Sequence, residues 1–257
     1  MKRLSAYGLV ILASLASAVF LAPTVAVALT TGSEFVTGTL ATAQYTDAGN
    51  TYGPFVSNFS YTRSFDGARV AKDVQINFVF DAALGFDAAQ QAAYRATVEG
   101  NIEGIWNNKY AIVDTANNRV FPVVVDVTTT GPRFDQSVMV HPGNGRADVQ
   151  NWFVGDTASV NAHEFGHMLG LFDEYIGGAI DRYPNPTLSD TGLMGLGALS
   201  ATPEMLSRYY GQYLGFISTL NPDSTFQLPE PSTFILVSLG SGVALLVRGW
   251  RSRYRGQ

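Results

Sequence analysis

Apolar and polar residues alternate along several short stretches of the chain, and a period of two is typical of half-buried strands. The clearest stretch is 74–80, Val-Gln-Ile-Asn-Phe-Val-Phe, and the runs 120–127 and 137–141 predict two more strands with a Thr-Gly-Pro turn between them. Residues 55–61 also alternate. They lie in a region rich in Thr, Ser and Gly, 30–67, that predicts either strands or a loosely structured lead-in.

Apolar residues at helical spacing predict three helices after the first of these strands. Asp87 is a suitable N-cap for the first helix, which ends near residue 108, and Asp156 is suitable for the second. The stretch 202–204, Thr-Pro-Glu, has the residue types of an N-cap, a first-turn proline and a first-turn acid, so the third helix starts there and ends near residue 213. This order of strands and helices predicts an α+β fold.

The first 28 residues have the three parts of a secretory signal peptide. Two basic residues precede an apolar run that ends at Leu21, and Ala-Val-Ala at 26–28 forms a small-x-small cleavage site. Cleavage there would start the mature chain at Leu29 and place it outside the cytoplasm. The alternative is a membrane anchor that is not cleaved.

Residues 228–257 combine a short motif, an apolar segment and a basic tail. The motif is Pro-Glu-Pro-Ser-Thr at 229–233, the apolar segment covers 234–247, and arginines follow it. The segment spans roughly 21 Å of a hydrocarbon core of roughly 30 Å, so it makes a marginal anchor. This order resembles the PEP-CTERM sorting signal of Gram-negative bacteria. The resemblance implies recognition and tail removal by an exosortase, whereas the alternative is a permanent single-pass anchor.

Composition narrows the chemistry that the chain can perform. With 46% hydrophobic and 12% aromatic residues the chain can bury a core, which excludes a disordered protein. It has no cysteine, so disulfides, thiolate zinc ligands and thiol nucleophiles are excluded. The net charge is -5, but residues 29–228 hold ten basic against twenty acidic side chains, and this balance disfavours nucleic acid as a partner.

The motif His163-Glu164-Phe-Gly-His167 contains two of the three histidines of the chain. Side chains four residues apart on a helix project side by side, so both imidazoles can reach one metal ion. Zinc accepts imidazole and carboxylate ligands, and catalytic sites hold it with three protein ligands and a water. Glu164 lies next to this site and is suited to act as a general base.

The third ligand must come from beyond the end of this helix. A continued helix would carry Asp173 and Glu174 about 9–10 Å past His167, too far to coordinate. Gly170 is suited to end the helix in a left-handed turn that redirects the chain towards the metal. Asp173 and Glu174 are then the two nearest candidates, and Glu204 on a later element is a third.

This spacing resembles the metzincin family of zinc metalloproteases, whose pattern is H-E-x-x-H-x-x-G-x-x-H/D. The resemblance implies Asp173 as the third ligand and Met194, in Gly-Leu-Met-Gly, as the methionine of a Met-turn. It also implies a zincin-like fold, in which a mixed sheet packs on two helices and a C-terminal helix follows the Met-turn. Some families place an oxyanion-stabilising tyrosine two residues past the methionine, but Leu196 stands here. That role would fall to another tyrosine, such as Tyr175, Tyr209 or Tyr210, or to none.

These observations predict an exported zinc endopeptidase in which Glu164 activates a water. The catalytic domain would cover 71–220, preceded by 29–70 as a lead-in or propeptide. The expected partners are a protein or peptide substrate, the export machinery, the exosortase and, through the C-terminal segment, the inner membrane. The alternative is a surface or matrix protein with a structural zinc site. His141 is expected at a turn or edge strand, and a calcium ion is a further expectation, with candidate ligands Asp181, Asn185 and Asp190.

Overall fold

The computed structural model describes residues 28–229 of the chain. The predicted signal peptide and sorting signal therefore lie outside the described residues, apart from residue 28 and residues 228–229. Within 28–229, no helix is both long and apolar enough to cross a membrane.

The described part of the chain contains ten strands and three α-helices. The strands are β1 Gly32–Thr42, β2 Tyr45–Asp47, β3 Asn50–Tyr52, β4 Phe55–Phe65, β5 Val70–Phe80, β6 Ala111–Asp114, β7 Arg119–Thr128, β8 Gln136–His141, β9 Asn151–Phe153 and β10 Phe226–Gln227. The helices are α1 Ala88–Trp106, α2 Ala158–Met168 and α3 Gly211–Leu220, with 3-10 turns at Ala82–Leu84, Leu196–Leu199 and Ser207–Tyr210. The predicted α+β class is confirmed.

One mixed sheet contains eight of these strands. Its main order is β1-β4-β5-β7-β6-β10, with β8 paired to β5 and β9 paired to β8. The pairs β5–β7, β5–β8 and β8–β9 are parallel and the others are antiparallel. Strand β5 is central because it pairs with β7 through residues 70–75 and with β8 through residues 76–80. The predicted strands at 74–80, 120–127 and 137–141 lie in β5, β7 and β8.

The core lies between this sheet and the helices. Helix α1 packs on β7 and against α2, and α3 lies against β4 and β5. The predicted N-cap of α1 is confirmed, because the Asp87 carboxylate accepts from Gln90 N–H and the Gln90 side chain accepts from Asp87 N–H in a capping box. The indole N–H of Trp106 donates to the Ala162 carbonyl at 3.0 Å and ties α1 to α2.

Two of the predicted helix starts are wrong. Thr157, not Asp156, caps α2, because its hydroxyl accepts from Val160 N–H at 3.3 Å, whereas the Asp156 carboxylate accepts from Phe153 N–H at 2.6 Å. No helix starts at 202–204. There the Glu204 backbone pairs with residues 191–193 instead, and the chain becomes helical only at Ser207, in a 3-10 turn that leads into α3.

The stretch 29–70 supplies two long strands of the main sheet. Strands β1 and β4 pair along their full length, and β4 also pairs with β5 through Thr62–Phe65. Tyr61 and Phe65 are both 2% exposed and belong to the core. We name β1 to β4, with the small β2–β3 turn at its tip, the N-terminal hairpin.

Candidate metal centre

Helix α2 buries the motif that the sequence singles out. His163, Glu164 and His167 are each less than 10% exposed. One ligand atom from each lies within 4.8 Å of the others, so this group could hold a metal ion.

Both histidines are oriented by backbone carbonyls. His163 Nδ1 lies 2.8 Å from the Leu193 oxygen, and His167 Nδ1 lies 2.7 Å from the Leu171 oxygen. Because a carbonyl oxygen only accepts, each Nδ1 carries the proton and donates it. In a neutral ring each Nε2 can then offer its lone pair to a metal ion, which is the arrangement that metal-binding histidines usually have.

Asp173 brings a carboxylate oxygen to the same point. Its Oδ1 lies 3.0 Å from His163 Nε2 and 3.3 Å from His167 Nε2. Ligand atoms about 2.0–2.1 Å from a tetrahedral zinc ion are about 3.3 Å apart, so these separations match such a ligand set. Asp173 Oδ1 is buried without a hydrogen-bond partner among the described residues, while Oδ2 accepts from Ala179 N–H at 2.6 Å.

Gly170 positions Asp173 as the spacing predicts. Helix α2 ends at Met168, and Gly170 has φ 82°, in the left-handed region that favours glycine. Its N–H donates to the His167 carbonyl at 2.9 Å, and Leu171 N–H donates to the Gly166 carbonyl at 3.1 Å. This turn also places the Leu171 carbonyl within hydrogen-bond distance of His167 Nδ1.

The charges of the site shift the pKa values of its members. Burial favours protonation of Asp173, but the adjacent His163 and His167 imidazoles outweigh it and hold the Asp173 pKa well below its usual range. Burial disfavours the charged form of His167, but Asp173 outweighs it and raises the His167 pKa to about 9. Burial raises the pKa of Glu164, against the opposing charges of both histidines.

Glu174, the rival to Asp173, contacts other residues. Its two carboxylate oxygens each accept from the Arg208 guanidinium at 2.6 Å, and the Tyr209 hydroxyl donates to it at 2.9 Å. The Glu204 carboxylate accepts from the Thr191 hydroxyl at 2.6 Å. Neither of these carboxylates belongs to the histidine cluster. The sequence offers no signal for Arg208, because its partner is 34 residues away.

Met194 lies against helix α2, at the segment that carries His163 and His167. Its side chain packs against Gly166, where an added Cβ would overlap the sulfur atom. Met194 N–H donates to the Tyr209 hydroxyl at 3.2 Å, which links this turn to Glu174. Gly166 was not among the residues predicted from the sequence, although a glycine inside a helical pattern is itself a signal of close packing.

The three tyrosines considered for oxyanion stabilisation lie in different surroundings. The Tyr209 hydroxyl is bound to Glu174, and the Tyr210 hydroxyl donates to the Trp106 carbonyl at 2.7 Å. Tyr175 instead lines the cleft beside Glu164, with its ring centroid 6.0 Å from that of His163. Burial, together with the charges of Asp173 and Glu164, raises the Tyr175 pKa. Of the three, Tyr175 is the one placed to meet a substrate.

The cleft has two lobes that meet at Glu164. The hairpin lobe has a volume of about 360 Å³ and is walled by Leu40, Phe55, Val56 and Ser57 of the N-terminal hairpin. The Leu196 lobe has a volume of about 390 Å³ and is walled by Val160, Ile176, Leu196 and Leu199. Arg146, Ala147, Glu164 and Tyr175 border both lobes.

The remaining candidates lie apart from this centre. His141 ends β8, where its Nε2 lies 3.1 Å from Asn151 Oδ1. The prediction of an edge strand is wrong, because β8 lies between β5 and β9. Asp181 is paired with Arg182 at 3.3 Å. A calcium site at Asp181, Asn185 and Asp190 stays a prediction.

Comparison of the chain with protein-family models, with curated proteins and with solved structures gives no match.

Proposed function

We propose that the protein is a zinc-dependent endopeptidase of the metzincin type. The observation that carries the proposal is the position of Asp173 Oδ1, within 3.3 Å of both His163 Nε2 and His167 Nε2 in a buried site. A buried carboxylate oxygen this close to two imidazole nitrogens is well explained by a cation that all three side chains share. The Met194 turn beneath the motif further supports the resemblance.

His163, His167 and Asp173 would hold the ion, and Glu164 stays outside this set. When bound, zinc would supply Lewis acidity, polarising a peptide carbonyl and lowering the pKa of a water. Glu164 would take a proton from the attacking water and pass it to the departing amine. Burial raises the Glu164 pKa towards that of a general base, which favours this double role. Tyr175, at the cleft wall, would donate its hydroxyl proton to the developing oxyanion.

The shape of the cleft favours an endopeptidase. Because Glu164 borders both lobes, an extended chain can continue on either side of the bond that is cleaved. A site that accepts only chain ends would be closed on one side. The substrate would therefore be an unfolded or flexible polypeptide.

The ends of the sequence support an extracellular setting. The signal-peptide pattern and the PEP-CTERM pattern favour export by a Gram-negative bacterium, then sorting to the cell surface or matrix by an exosortase. The C-terminal apolar segment would hold the protein in the inner membrane until the tail is removed. Proteins or peptides at the cell surface would then be the substrates.

Substitution of the base tests this proposal. We expect Glu164→Gln to retain one equivalent of zinc and the wild-type unfolding temperature but to lose cleavage of casein by at least about a hundredfold. Glu34→Gln, at an exposed carboxylate on β1, is the matched control and should cleave normally. Full activity in Glu164→Gln would overturn the assignment.

Chelation separates the enzyme from the alternative of a structural zinc site. We expect a chelator to abolish cleavage reversibly while the fold persists, because the core of sheet and helices is extensive without the ion. Cooperative unfolding on metal removal, in a protein that never cleaves peptides, would support the structural alternative.

A further inference from the structure

One basic side chain lies where the two lobes meet. Arg146 borders both the hairpin lobe and the Leu196 lobe, beside Glu164 and Tyr175. Among the described residues that line these lobes it is the only lysine or arginine. Its Nη2 donates to the Gly177 carbonyl at 3.3 Å, so the guanidinium reaches across to the wall that carries Tyr175.

The charge of Arg146 has no carboxylate partner in the described part of the chain. The arginines that form ion pairs there are Arg63, Arg69, Arg119, Arg182 and Arg208. The nearest acids in sequence are bound elsewhere: Asp148 accepts from Gln150 N–H and Asn151 N–H at 2.8 Å, and Asp156 accepts from Phe153 N–H at 2.6 Å. Most N–H donors of Arg146 are therefore free to bind a ligand.

We infer that Arg146 is a specificity-determining residue that binds a carboxylate of the substrate next to the bond that is cleaved. The inference rests on the proposed endopeptidase function. A guanidinium presents a planar fork of donors that matches a carboxylate in two parallel hydrogen bonds. The single contact to Gly177 leaves that fork available. The carboxylate belongs to an Asp or Glu side chain or to the C-terminus of the substrate.

The charge of the whole protein limits which acidic substrates bind. The body carries twenty acidic against ten basic residues, so a polyacidic chain is repelled at long range. Arg146 acts only at short range. The favoured substrate is therefore a mostly neutral peptide with one carboxylate near the cleaved bond, and the preference weakens as salt screens the pair.

A set of matched peptides tests the inference. Blocked neutral decapeptides carry Asp, Asn or Lys at each position in turn, and a second series compares a free C-terminal carboxylate with its amide. We expect kcat/KM for the best Asp peptide to exceed that of its Asn counterpart by at least about tenfold. A preference confined to the free C-terminus would keep Arg146 as the carboxylate-binding residue but would contradict cleavage within a chain, and so would overturn the endopeptidase function.

Variants of Arg146 assign the preference to this side chain. Arg146→Gln should bring the Asp/Asn ratio to about one while the Asn peptide is still cleaved, and Arg146→Lys should keep a reduced ratio. Arg146→Glu should invert the preference towards the Lys peptide. Arg182→Gln, at an exposed arginine outside both lobes, is the matched control and should leave the ratio unchanged. A merely structural role would lower cleavage of the Asp and Asn peptides equally.

Binding without turnover separates the inference from the proposed function. In Glu164→Gln, fluorescence anisotropy should show tighter binding of the Asp peptide than of the Asn peptide, and adding Arg146→Gln should remove the difference. Equal cleavage and equal binding of the two peptides would overturn the inference and leave the endopeptidase intact. If the wild type cleaves no peptide, the proposed function fails, while the anisotropy still reports whether Arg146 binds a carboxylate.

Discussion

The Met194 side chain lies so close to Gly166, the residue between Phe165 and His167 on α2, that a Cβ at this position would overlap its sulfur. The same turn supplies the Leu193 carbonyl that orients His163. A single contact thus fixes the distance between the turn and the helix, and with it the direction of one imidazole. The packing of Met194 on Gly166 and the orientation of His163 are therefore coupled.

Gly166→Ala should disrupt this coupling. The new methyl group overlaps the Met194 side chain, so we expect a loss of about 1–3 kcal/mol in the free energy of unfolding and weaker zinc binding. Urea denaturation and metal titration measure the two effects. Gly104→Ala on α1 is the control, because its Cβ would meet no atom within 4 Å and alanine favours a helix, so stability should rise slightly. Equal behaviour of the two variants would contradict this account.

Gly170→Ala should affect the third ligand more than the helix. Alanine in the left-handed region costs about 1–2 kcal/mol, and its Cβ would lie 2.9 Å from the Phe59 ring, so either that ring or the turn at Gly170 must shift. A shift of the turn would displace Asp173. Gly85→Ala provides the control, since Gly85 also has a positive φ, 61°, but an open surrounding. We expect both variants to lose stability and only Gly170→Ala to lose zinc affinity. Retention of full affinity would show that the turn does not position Asp173.

The local parts of the site could be predicted from sequence. His163 and His167 are four residues apart on one helix, and Gly170 ends that helix in a conformation that glycine adopts at little cost. Such features depend on neighbours within a few residues. The alternation in 74–80 likewise predicts β5, because one face of the strand meets the core.

Features that depend on distant partners could not be predicted. Glu174 follows Asp173 directly in sequence, but Arg208, 34 residues away, binds the Glu174 carboxylate while Asp173 lies at the two histidines. Asp156 and Thr157 are both good N-caps, and the choice follows from the bond between Asp156 and Phe153. The 202–204 stretch has helix-start residues, yet pairing with 191–193 holds its backbone extended.

Phe65→Ala should show that the N-terminal hairpin belongs to the folded protein. Phe65 is 2% exposed and meets Phe121 edge-on with 5.2 Å between ring centroids, so we expect a loss of about 3–5 kcal/mol. Phe35→Ala, at a phenylalanine of the same hairpin that is 52% exposed, should change stability by no more than about 0.5 kcal/mol. An active mature form that begins after Gly67 would contradict this expectation and identify 29–70 as a propeptide.

Lys72→Met should change how stability depends on pH. Lys72 is fully buried, with Nζ 2.8 Å from Gln212 Oε1 and 4.5 Å from the ring centroids of Tyr61 and Tyr213. Burial, reinforced by the charge of Arg63, lowers its pKa well below 10.5 in the folded state. Between that lowered pKa and about 10.5 the unfolded chain binds more protons, so the free energy of unfolding rises with pH by up to about 1.4 kcal/mol per unit.

The methionine variant lacks this titration. Urea denaturation of both proteins at several pH values from 7 to 10 should show the wild type gaining stability relative to Lys72→Met as pH rises. A difference that stays constant across the series would mean that Lys72 keeps its ordinary pKa despite its burial.

The zinc content of two variants shows whether Asp173 completes a metal site with His163 and His167. We expect the wild type and Glu174→Gln to bind one equivalent of zinc, although the second is less stable because it loses charge-assisted bonds to Arg208. Asp173→Ala should lose most of its zinc while keeping its fold. A full equivalent of tightly bound zinc in Asp173→Ala, or its loss in folded Glu174→Gln alone, would contradict the account.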